Sequence, residues 1–252
     1  MGDCLRKCLC LLGVAAAVCF VGALDAQATL VDLGPGSFTP LAPQITFSEA
    51  GYPTGTVNPV YSFTALPGLG DVTVGFDGIF VGQGTAGTTV VTITGSPTPG
   101  SPLTLDPNGP QTLITPDGAN PTTPVLSGTP TFNGPVSVLF STPVAGVGLD
   151  GGYFDAIGGT TIEAFDSLGN SLGTVTNSQL GIEFYGLADS TGANVISGIS
   201  FYITGSEPAG FAIDNLTFGS AQDIQDLVPE PVTMAGLLLG VGTLAGYVRR
   251  RR

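Results

Sequence analysis

Two glycine-rich motifs match patterns that carry chemistry in other proteins. Residues 169–173 read G-N-S-L-G, like the G-x-S-x-G turn that presents a nucleophilic serine, and residues 146–151 read G-V-G-L-D-G, like the G-x-G-x-x-G loop that cradles a phosphate. The chain contains no histidine to activate Ser171, which excludes a serine hydrolase of the Ser-His-Asp kind. No helical pattern follows residue 151, as a phosphate loop requires, so we interpret the second match as coincidental.

Carboxylates are the remaining candidates for chemistry. No Lys, Arg or His lies between positions 8 and 248. Of the 19 acidic residues, Asp3, Asp25 and Glu230 belong to the terminal segments, which leaves 16 and a net side-chain charge of about −16 for the middle of the chain. This composition excludes lysine Schiff bases, arginine clamps and nucleic-acid binding. Paired carboxylates, as in glycoside hydrolases, are the familiar catalytic option that is left, and the sequence does not indicate which pair would converge.

Without internal cations, each carboxylate must be solvated, accept hydrogen bonds from amides, or bind a cation from outside. The apolar alternation of residues 211–218 slips by one position, which predicts a β-bulge that turns Asp214 and Asn215 outward together. Their oxygens are suited to calcium, so the pair is a candidate structural calcium site. The alternative is that both side chains only satisfy backbone amides at the bulge.

The N-terminus has the pattern of a secretory signal peptide. Two basic residues precede an apolar run over residues 8–24, and the triplet Ala26-Gln27-Ala28 follows as a small-residue cleavage site. We expect removal of residues 1–28, with retention of the run as a membrane anchor as the alternative. All four cysteines lie in this segment, so the mature chain has no thiol and no disulfide.

Three features follow one another at the C-terminus. The first is a motif made of Val228, Pro229, Glu230 and Pro231. The second is an uncharged stretch of 17 residues, 232–248, which as a helix spans about 26 Å of a roughly 30 Å hydrocarbon core. The third is a basic cluster of Arg249, Arg250, Arg251 and Arg252. Such a cluster is expected to stay on the cytoplasmic side, which places the body of the protein outside.

This order of motif, glycine-containing apolar helix and terminal arginines resembles the PEP-CTERM sorting signal. The resemblance implies export by the general secretion machinery and recognition of the tail by an exosortase, a membrane protease with a catalytic cysteine. It also implies cleavage near the motif and release or transfer of the body to the cell surface or extracellular matrix. The alternative is an ordinary membrane anchor with a proline-stiffened entry.

Between the two signals, residues 29–227 predict an all-β fold, because short apolar stretches are bounded by Gly, Pro, Asn and Asp and no long helical period occurs. The predicted strands are 44–49, 71–81, 88–94, 136–140, 160–165, 181–187, 199–204 and 211–218. Residues 165–173 predict a hairpin. Residues 95–131 hold nine of the 20 prolines and predict a long surface loop.

Residues 134–219 resemble the C-terminal half of jelly-roll domains that occur in PEP-CTERM proteins and are related to carbohydrate-binding modules, and residues 211–218 are the most specific part. The resemblance implies one jelly-roll-like β-sandwich ectodomain over residues 29–227, between the signal peptide and the sorting tail, 228–252. In calcium-binding jelly rolls the first and last strands lie close together. By this resemblance, Glu49 completes the candidate calcium site of Asp214 and Asn215.

The function expected from these features is that of an exported, non-enzymatic protein of the cell surface or extracellular matrix, sorted by exosortase. One alternative is a carbohydrate-binding module that contacts exopolysaccharide or another glycan. The other is a carboxylate-dependent glycoside hydrolase. Stacking on a sugar would depend on tyrosine or phenylalanine, because the chain has no tryptophan.

Overall fold

The computed structural model describes residues 29–119, 123–208 and 210–227. In these ranges the chain forms 15 strands and two short 3-10 turns, and no helix there has the length and apolar character needed to cross a membrane. The predicted signal peptide with Ala26 and Ala28, the motif Val228 to Pro231, the apolar stretch and the four terminal arginines lie outside the described residues.

The strands are short, and most follow one another after turns of a few residues. In chain order they are β1 (Leu30–Leu33), β2 (Gln44–Ile45), β3 (Val60–Leu66), β4 (Gly70–Asp77), β5 (Gly84–Ala86), β6 (Thr92–Thr94), β7 (Thr112–Thr115), β8 (Val125–Gly128), β9 (Val136–Val144), β10 (Gly146–Phe154), β11 (Thr160–Phe165), β12 (Ser171–Thr176), β13 (Gly181–Asp189), β14 (Ile196–Ile203) and β15 (Ala212–Gly219). The 3-10 turns, Ala221–Asp223 and Gln225–Leu227, follow β15.

Two antiparallel sheets pack in a sandwich-like arrangement, which confirms the prediction of an all-β sandwich. The first sheet has the order β1-β13-β10-β15-β8-β7, with β2 also paired to β15. The second has the order β12-β11-β14-β9-β4-β3, and β5 and β6 form a separate ribbon. From β8 to β15 consecutive strands mostly lie in opposite sheets, so neighbours in a sheet are distant in sequence.

The main core fills the space between the two sheets. In β14 the alternating residues Ile199, Phe201 and Ile203 point into it. Phe201 packs on Phe211, the residue just before β15 of the other sheet, with ring centroids 4.4 Å apart. One cluster of buried apolar side chains therefore joins residues from β2 to β15.

A second apolar layer covers the outer face of the second sheet. Ser200, which lies on the face of β14 opposite Ile199 and Phe201, is fully buried. Phe80 and Leu103, from the connections before and after the small ribbon, pack in a separate cluster against this face. Gly198 makes the approach possible, because a Cβ atom there would lie 2.7 Å from Phe80 and 2.8 Å from Leu103.

The prediction of a long surface loop over residues 95–131 is wrong. β7 and β8 lie inside this segment, pair with each other and extend the first sheet through the pairing of β8 with β15. Ile114, Val125 and Leu126 are fully buried. The prolines of the segment lie around and between the two strands and not within them, so no ladder hydrogen bond is lost.

The other strand predictions differ in how well their bounds fit. The bounds of β11 agree with the prediction, and the predicted hairpin is confirmed by the pairing of Phe165 with Ser171. The prediction for residues 44–49 is too long, because β2 ends at Ile45 and Phe47 adopts a positive φ of 56°. At this backbone angle the chain leaves the extended path at Phe47.

Candidate functional site

The outer face of the first sheet is crossed by the connection between β1 and β2, residues 34–43. Two backbone hydrogen bonds fasten this connection to the 3-10 turns after β15. The Thr39 amide donates to the Asp223 carbonyl at 2.8 Å, and the Gln225 amide donates to the Ser37 carbonyl at 2.8 Å. The connection is therefore a fixed rim over the sheet and not a free loop.

Beneath this rim, the outer face of the sheet carries few side chains, and we call this face the floor. In one row across β13, β10, β15 and β2, Gly186 pairs with Gly148, Gly148 with Thr217, and Thr217 with Gln44. A Cβ atom on Gly148 would lie 2.6 Å from Cζ of Phe184. The glycine thus lets an aromatic ring rest directly on the backbone of the sheet.

Two half-buried aromatic rings stand on this floor. Tyr185 and Leu187 of β13 point into the main core, so the alternating residue Phe184 faces outward. Phe38 of the rim meets Phe184 edge to face, with ring centroids 6.4 Å apart and an interplanar angle of 78°. Such pairs contribute about 0.5–1.5 kcal/mol beyond the area they bury.

Two cavities share Phe184 as a lining residue. The edge cavity, of about 270 Å³, lies beside β1 and is also lined by Asp32, Ser178 and Gln179. The face cavity, of about 220 Å³, lies under the rim and is also lined by Phe38, Thr39, Gln44 and Thr217. The edge cavity lies on the core side of β13, because Asp32 pairs with the core residue Leu187, whereas the face cavity lies on the outer face. We call the face cavity together with Phe38 and Phe184 the outer groove.

Hydrogen bonds hold the polar side chains of the face cavity in place. Nε2 of Gln44 donates to Oγ1 of Thr217 at 3.1 Å. Oγ1 of Thr217 in turn donates to the Asn215 carbonyl at 3.0 Å. The amide oxygen of Gln44 belongs to an exposed side chain and can accept a hydrogen bond from a ligand.

Glu183 lines the edge cavity, and its carboxylate holds the neighbouring residues in place by hydrogen bonds. Glu183 accepts hydrogen bonds from the Ser178 amide at 2.9 Å, from Oγ of Ser178 at 2.6 Å and from the Gln179 amide at 2.9 Å. Burial raises the pKa of the neighbouring Tyr185 well above its usual value. The Tyr185 phenol, which lines the edge cavity, therefore stays protonated and uncharged at neutral pH.

The candidate calcium residues Asp214 and Asn215 lie at a bulge, as predicted. The register of β10 and β15 shifts between Gly148 and Asp150, and Asn215 has a positive φ of 48°. Asp214 lies on the face opposite the core, as predicted, because it pairs with Asp150 and its neighbour Ile213 points into the core, but its side chain is fully buried on that face. β15 is an interior strand, flanked by β10 on one side and by β8 and β2 on the other, and this position leaves little of it exposed.

The hydrogen bonds of these residues are mainly local. Oδ1 of Asp214 accepts the Asn215 amide at 2.8 Å, and the Asn215 side chain donates to Oδ2 of Asp150 at 2.7 Å. Oε1 of Glu49 accepts the Thr46 amide at 2.6 Å. Among the described residues, no group of three or more Asp, Glu, His or Cys side chains is arranged to hold a metal ion. Calcium binding by Glu49, Asp214 and Asn215 stays a prediction.

The two glycine-rich motifs lie in β structure. The G-x-S-x-G residues form the turn between β11 and β12, where Oγ of Ser171 donates to Oε1 of Glu163 at 2.7 Å. The G-x-G-x-x-G residues belong to β10, an interior strand of the first sheet. Neither place has the helix N-terminus that a phosphate loop or a nucleophilic serine turn requires.

The sequence does not indicate the residues of the outer groove as a site: Gly148 was considered only as part of a coincidental phosphate-loop match, and Phe38, Gln44 and Phe184 were given no role. The available signal was the alternation of glycine with Val147 and Leu149, which is the pattern of a strand with one bare face. No family model matches the chain, and neither a curated protein nor a solved structure shows significant similarity to it.

Proposed function

We propose that the protein is an exported, non-enzymatic component of the cell surface or extracellular matrix, sorted by an exosortase through residues 228–252. The observation that carries this proposal is the order of proline-bounded motif, apolar stretch and arginine cluster at one end, with a signal peptide at the other. The partners are the general secretion machinery and the exosortase. The mature protein is membrane-anchored until the tail is processed.

The contacts of the carboxylates support a structural role for them. Oδ1 of Asp166 accepts the Leu168 and Asn170 amides at 2.8 and 2.9 Å. Glu207 accepts the Asp155 amide at 2.8 Å and the Ala156 amide at 3.2 Å. These carboxylates stabilise loops by accepting hydrogen bonds from backbone amides, as ion pairs do in other proteins. This role requires no catalytic partner.

The strand order supports assignment of the sandwich to the jelly-roll class. Eight successive strands, β8 to β15, contribute the order β8-β15-β10-β13 to one sheet and β9-β14-β11-β12 to the other. A jelly roll is a double sheet of eight strands made of two Greek keys, and it has this kind of alternation. β1, β3, β4 and β7 then extend the sheets at their edges.

Substitution of the sorting motif tests the proposal. In a host with an exosortase, the natural protein should lose its C-terminal stretch and appear outside the inner membrane. The triple variant Pro229→Ala, Glu230→Ala and Pro231→Ala should keep the tail and stay in the membrane fraction, whereas Thr233→Ala should behave like the natural protein. Unchanged processing and release of the triple variant would favour the ordinary anchor.

Carbohydrate binding is a second candidate function, and the outer groove favours it. The groove combines a half-buried aromatic ring with the amide of Gln44 on β2 and the hydroxyl of Thr217 on β15. Sites that bind polyols need both an apolar surface and a few fixed polar groups. A screen of the ectodomain against immobilised glycans tests this function separately from sorting.

A further inference from the structure

We propose that Asp189 is the binding site for the mature amino terminus, whose α-ammonium group at Thr29 pairs with the buried Asp189 carboxylate. This inference rests on the proposed function, because an amino group at Thr29 exists only after residues 1–28 have been removed during export. It deepens that function by giving signal-peptide cleavage a role in the stability of the ectodomain.

The Asp189 carboxylate has hydrogen-bond partners at one oxygen and none at the other. Its side chain, at the end of β13, is fully buried. Oδ1 accepts the Thr191 amide at 2.9 Å, the Thr191 hydroxyl, and the Ala193 amide at 3.2 Å. Oδ2 is also buried and has no hydrogen-bond partner among the described residues. A buried carboxylate oxygen without a donor costs free energy, and a cation is the donor that offsets this cost best.

The side chains of the ectodomain include no such cation. No Lys, Arg or His occurs between positions 8 and 248. Removal of residues 1–28 creates one cation, the α-ammonium group of the new first residue, which has an ordinary pKa of about 7.7–8.0. At neutral pH this group is mostly protonated, so it is the one positive charge available to Asp189 in the mature ectodomain.

The register of β1 and β13 brings this amino group to the neighbourhood of Asp189. Leu30 lies opposite Asp189, which places Thr29 opposite Ser190. The Ser190 amide donates to the Thr29 carbonyl at 2.8 Å, and the hydroxyls of the two residues share a hydrogen bond of 2.7 Å. The chain is therefore fixed as far as Thr29. Because a first residue has no preceding peptide bond, its amino group is free to turn towards Oδ2.

The exposure of Thr29 favours the pair. A salt bridge with two buried groups loses most of its Coulomb energy to the removal of both charges from water. Here the carboxylate is already buried by the fold, whereas Thr29 is exposed and its ammonium group keeps part of its hydration. Pairing therefore adds a charge-assisted hydrogen bond without burying a second charge.

The pair distinguishes the mature protein from its precursor. Before cleavage the nitrogen of Thr29 belongs to a neutral peptide bond and cannot pair with a carboxylate. After cleavage the ammonium group connects β1, an edge strand of the first sheet, to the turn at residues 189–193. Cleavage two residues earlier would move the charge by about 7 Å, so the position of the cut is part of the site.

Acetylation of the amino terminus tests the proposal on residues 29–227, a range that contains all three hydrophobic clusters. The domain is released from a fusion protein so that it begins at Thr29. Because this range has no lysine, the α-amine is the only amine that an acylating reagent can modify. A second form carries Gly-Ser before Thr29, which keeps the ammonium group but moves it by about 7 Å.

Acetylation should lower the melting temperature by about 3 °C or more, because a hydrogen bond between charged groups is lost. The Gly-Ser form should melt as low as the acetylated one. In Asp189→Asn, which keeps an acceptor for the turn amides but replaces Oδ2 by an amide nitrogen, acetylation should change the melting temperature by less than about 1 °C. The matched control is Asp77→Asn, which changes a buried carboxylate of the other sheet and should lose as much on acetylation as the natural domain.

An unchanged melting temperature after acetylation would overturn the proposal, and so would an equal loss in the natural domain and in Asp189→Asn. Should Asp189→Asn not fold, the Gly-Ser form decides the matter. If it melts at the same temperature as the form that begins at Thr29, the ammonium group acts through the overall negative charge and not through Asp189. The outcome leaves the sorting proposal untouched, since the purified domain begins at Thr29 by design and lacks the tail.

Discussion

In this domain, single carboxylates hold turns in place by hydrogen bonds, a role that ion pairs have in other proteins. Asp166 is the clearest case, because its Oδ1 accepts two amides of the hairpin turn and its Oδ2 accepts the Asn170 side chain at 2.8 Å. Hydrogen bonds to a charged acceptor contribute about 1.5–3 kcal/mol each, more than neutral ones. The turn between β11 and β12 is therefore held by one side chain.

Replacement of Asp166 by alanine should lower the free energy of unfolding by about 1–3 kcal/mol, since the turn amides lose their acceptor. Urea denaturation of the ectodomain measures the change. The matched control is Asp32→Ala, which removes the same charge from an exposed position and should change the free energy by less than about 0.5 kcal/mol. Equal effects of the two substitutions would show that charge, and not hydrogen bonding, is responsible.

The buried Glu207 predicts how stability depends on pH. Burial raises the pKa of its carboxyl, although hydrogen bonds from the Asp155 and Ala156 amides oppose the shift. Because the folded state holds the proton more tightly than the unfolded chain, the stabilisation by this group is complete below the unfolded pKa and is lost as the pH rises through the folded pKa.

The melting temperature of the ectodomain should therefore rise as the pH falls from 7 towards the usual range of a glutamate, and Glu207→Gln should reduce this dependence. Thermal melts at several pH values measure it, with the exposed-site variant Asp32→Asn as the control for loss of one charge. The same pH dependence in Glu207→Gln and in the natural domain would contradict the role of Glu207.

Whole elements show which parts of the fold can be predicted from sequence. β11 was predicted correctly because it is followed by a polar turn that contains Asp, Ser, Gly and Asn, and this signal is local. β10 was missed because Gly146, Gly148, Gly151 and Gly152 give it the composition of a loop. β7 and β8 were hidden by the surrounding prolines, and their strand character becomes visible only in the structure, where they pair with each other and β8 pairs with β15.

The outer groove could not be predicted for the same physical reason. Its floor is a row of residues from β13, β10, β15 and β2, which are brought together by register over long separations in sequence. Its rim has no regular structure and owes its place to hydrogen bonds with the turns after β15. The predicted bulge at Asn215, by contrast, followed from a local slip in alternation.

A core substitution in β8 tests the corrected role of the proline-rich segment. Leu126 is fully buried, so Leu126→Ala should lower the free energy of unfolding by about 2–5 kcal/mol. The control Leu41→Ala changes a side chain that is 91% exposed and should have an effect below about 0.5 kcal/mol. Chemical denaturation compares the two, and a small effect at Leu126 would mean that residues 95–131 form a surface loop after all.

The molecule as a whole carries charges of one sign between positions 8 and 248. Its side-chain charges therefore repel one another. Because these charges form no ion pairs, added salt can weaken only the repulsion. The Debye length falls from about 30 Å at 0.01 M to about 10 Å at 0.1 M, so most of the repulsion is screened in this range.

The melting temperature of the ectodomain should accordingly rise with NaCl, with most of the rise below about 0.1 M. Calorimetry over 0.01–1 M NaCl measures it, and KCl serves as the control because screening does not distinguish the two salts. A flat or falling melting temperature below 0.1 M would contradict the account. A rise confined to the highest concentrations would indicate exclusion of salt from the surface instead.

The intact mass of the protein recovered from the cell surface decides whether it is exported and sorted. An exported and sorted protein begins near Thr29 and ends close to the motif at residues 228–231, so that both the signal peptide and the arginine cluster are missing. A surface protein whose mass still includes residues 232–252 would contradict sorting by an exosortase and show that the tail is a permanent anchor.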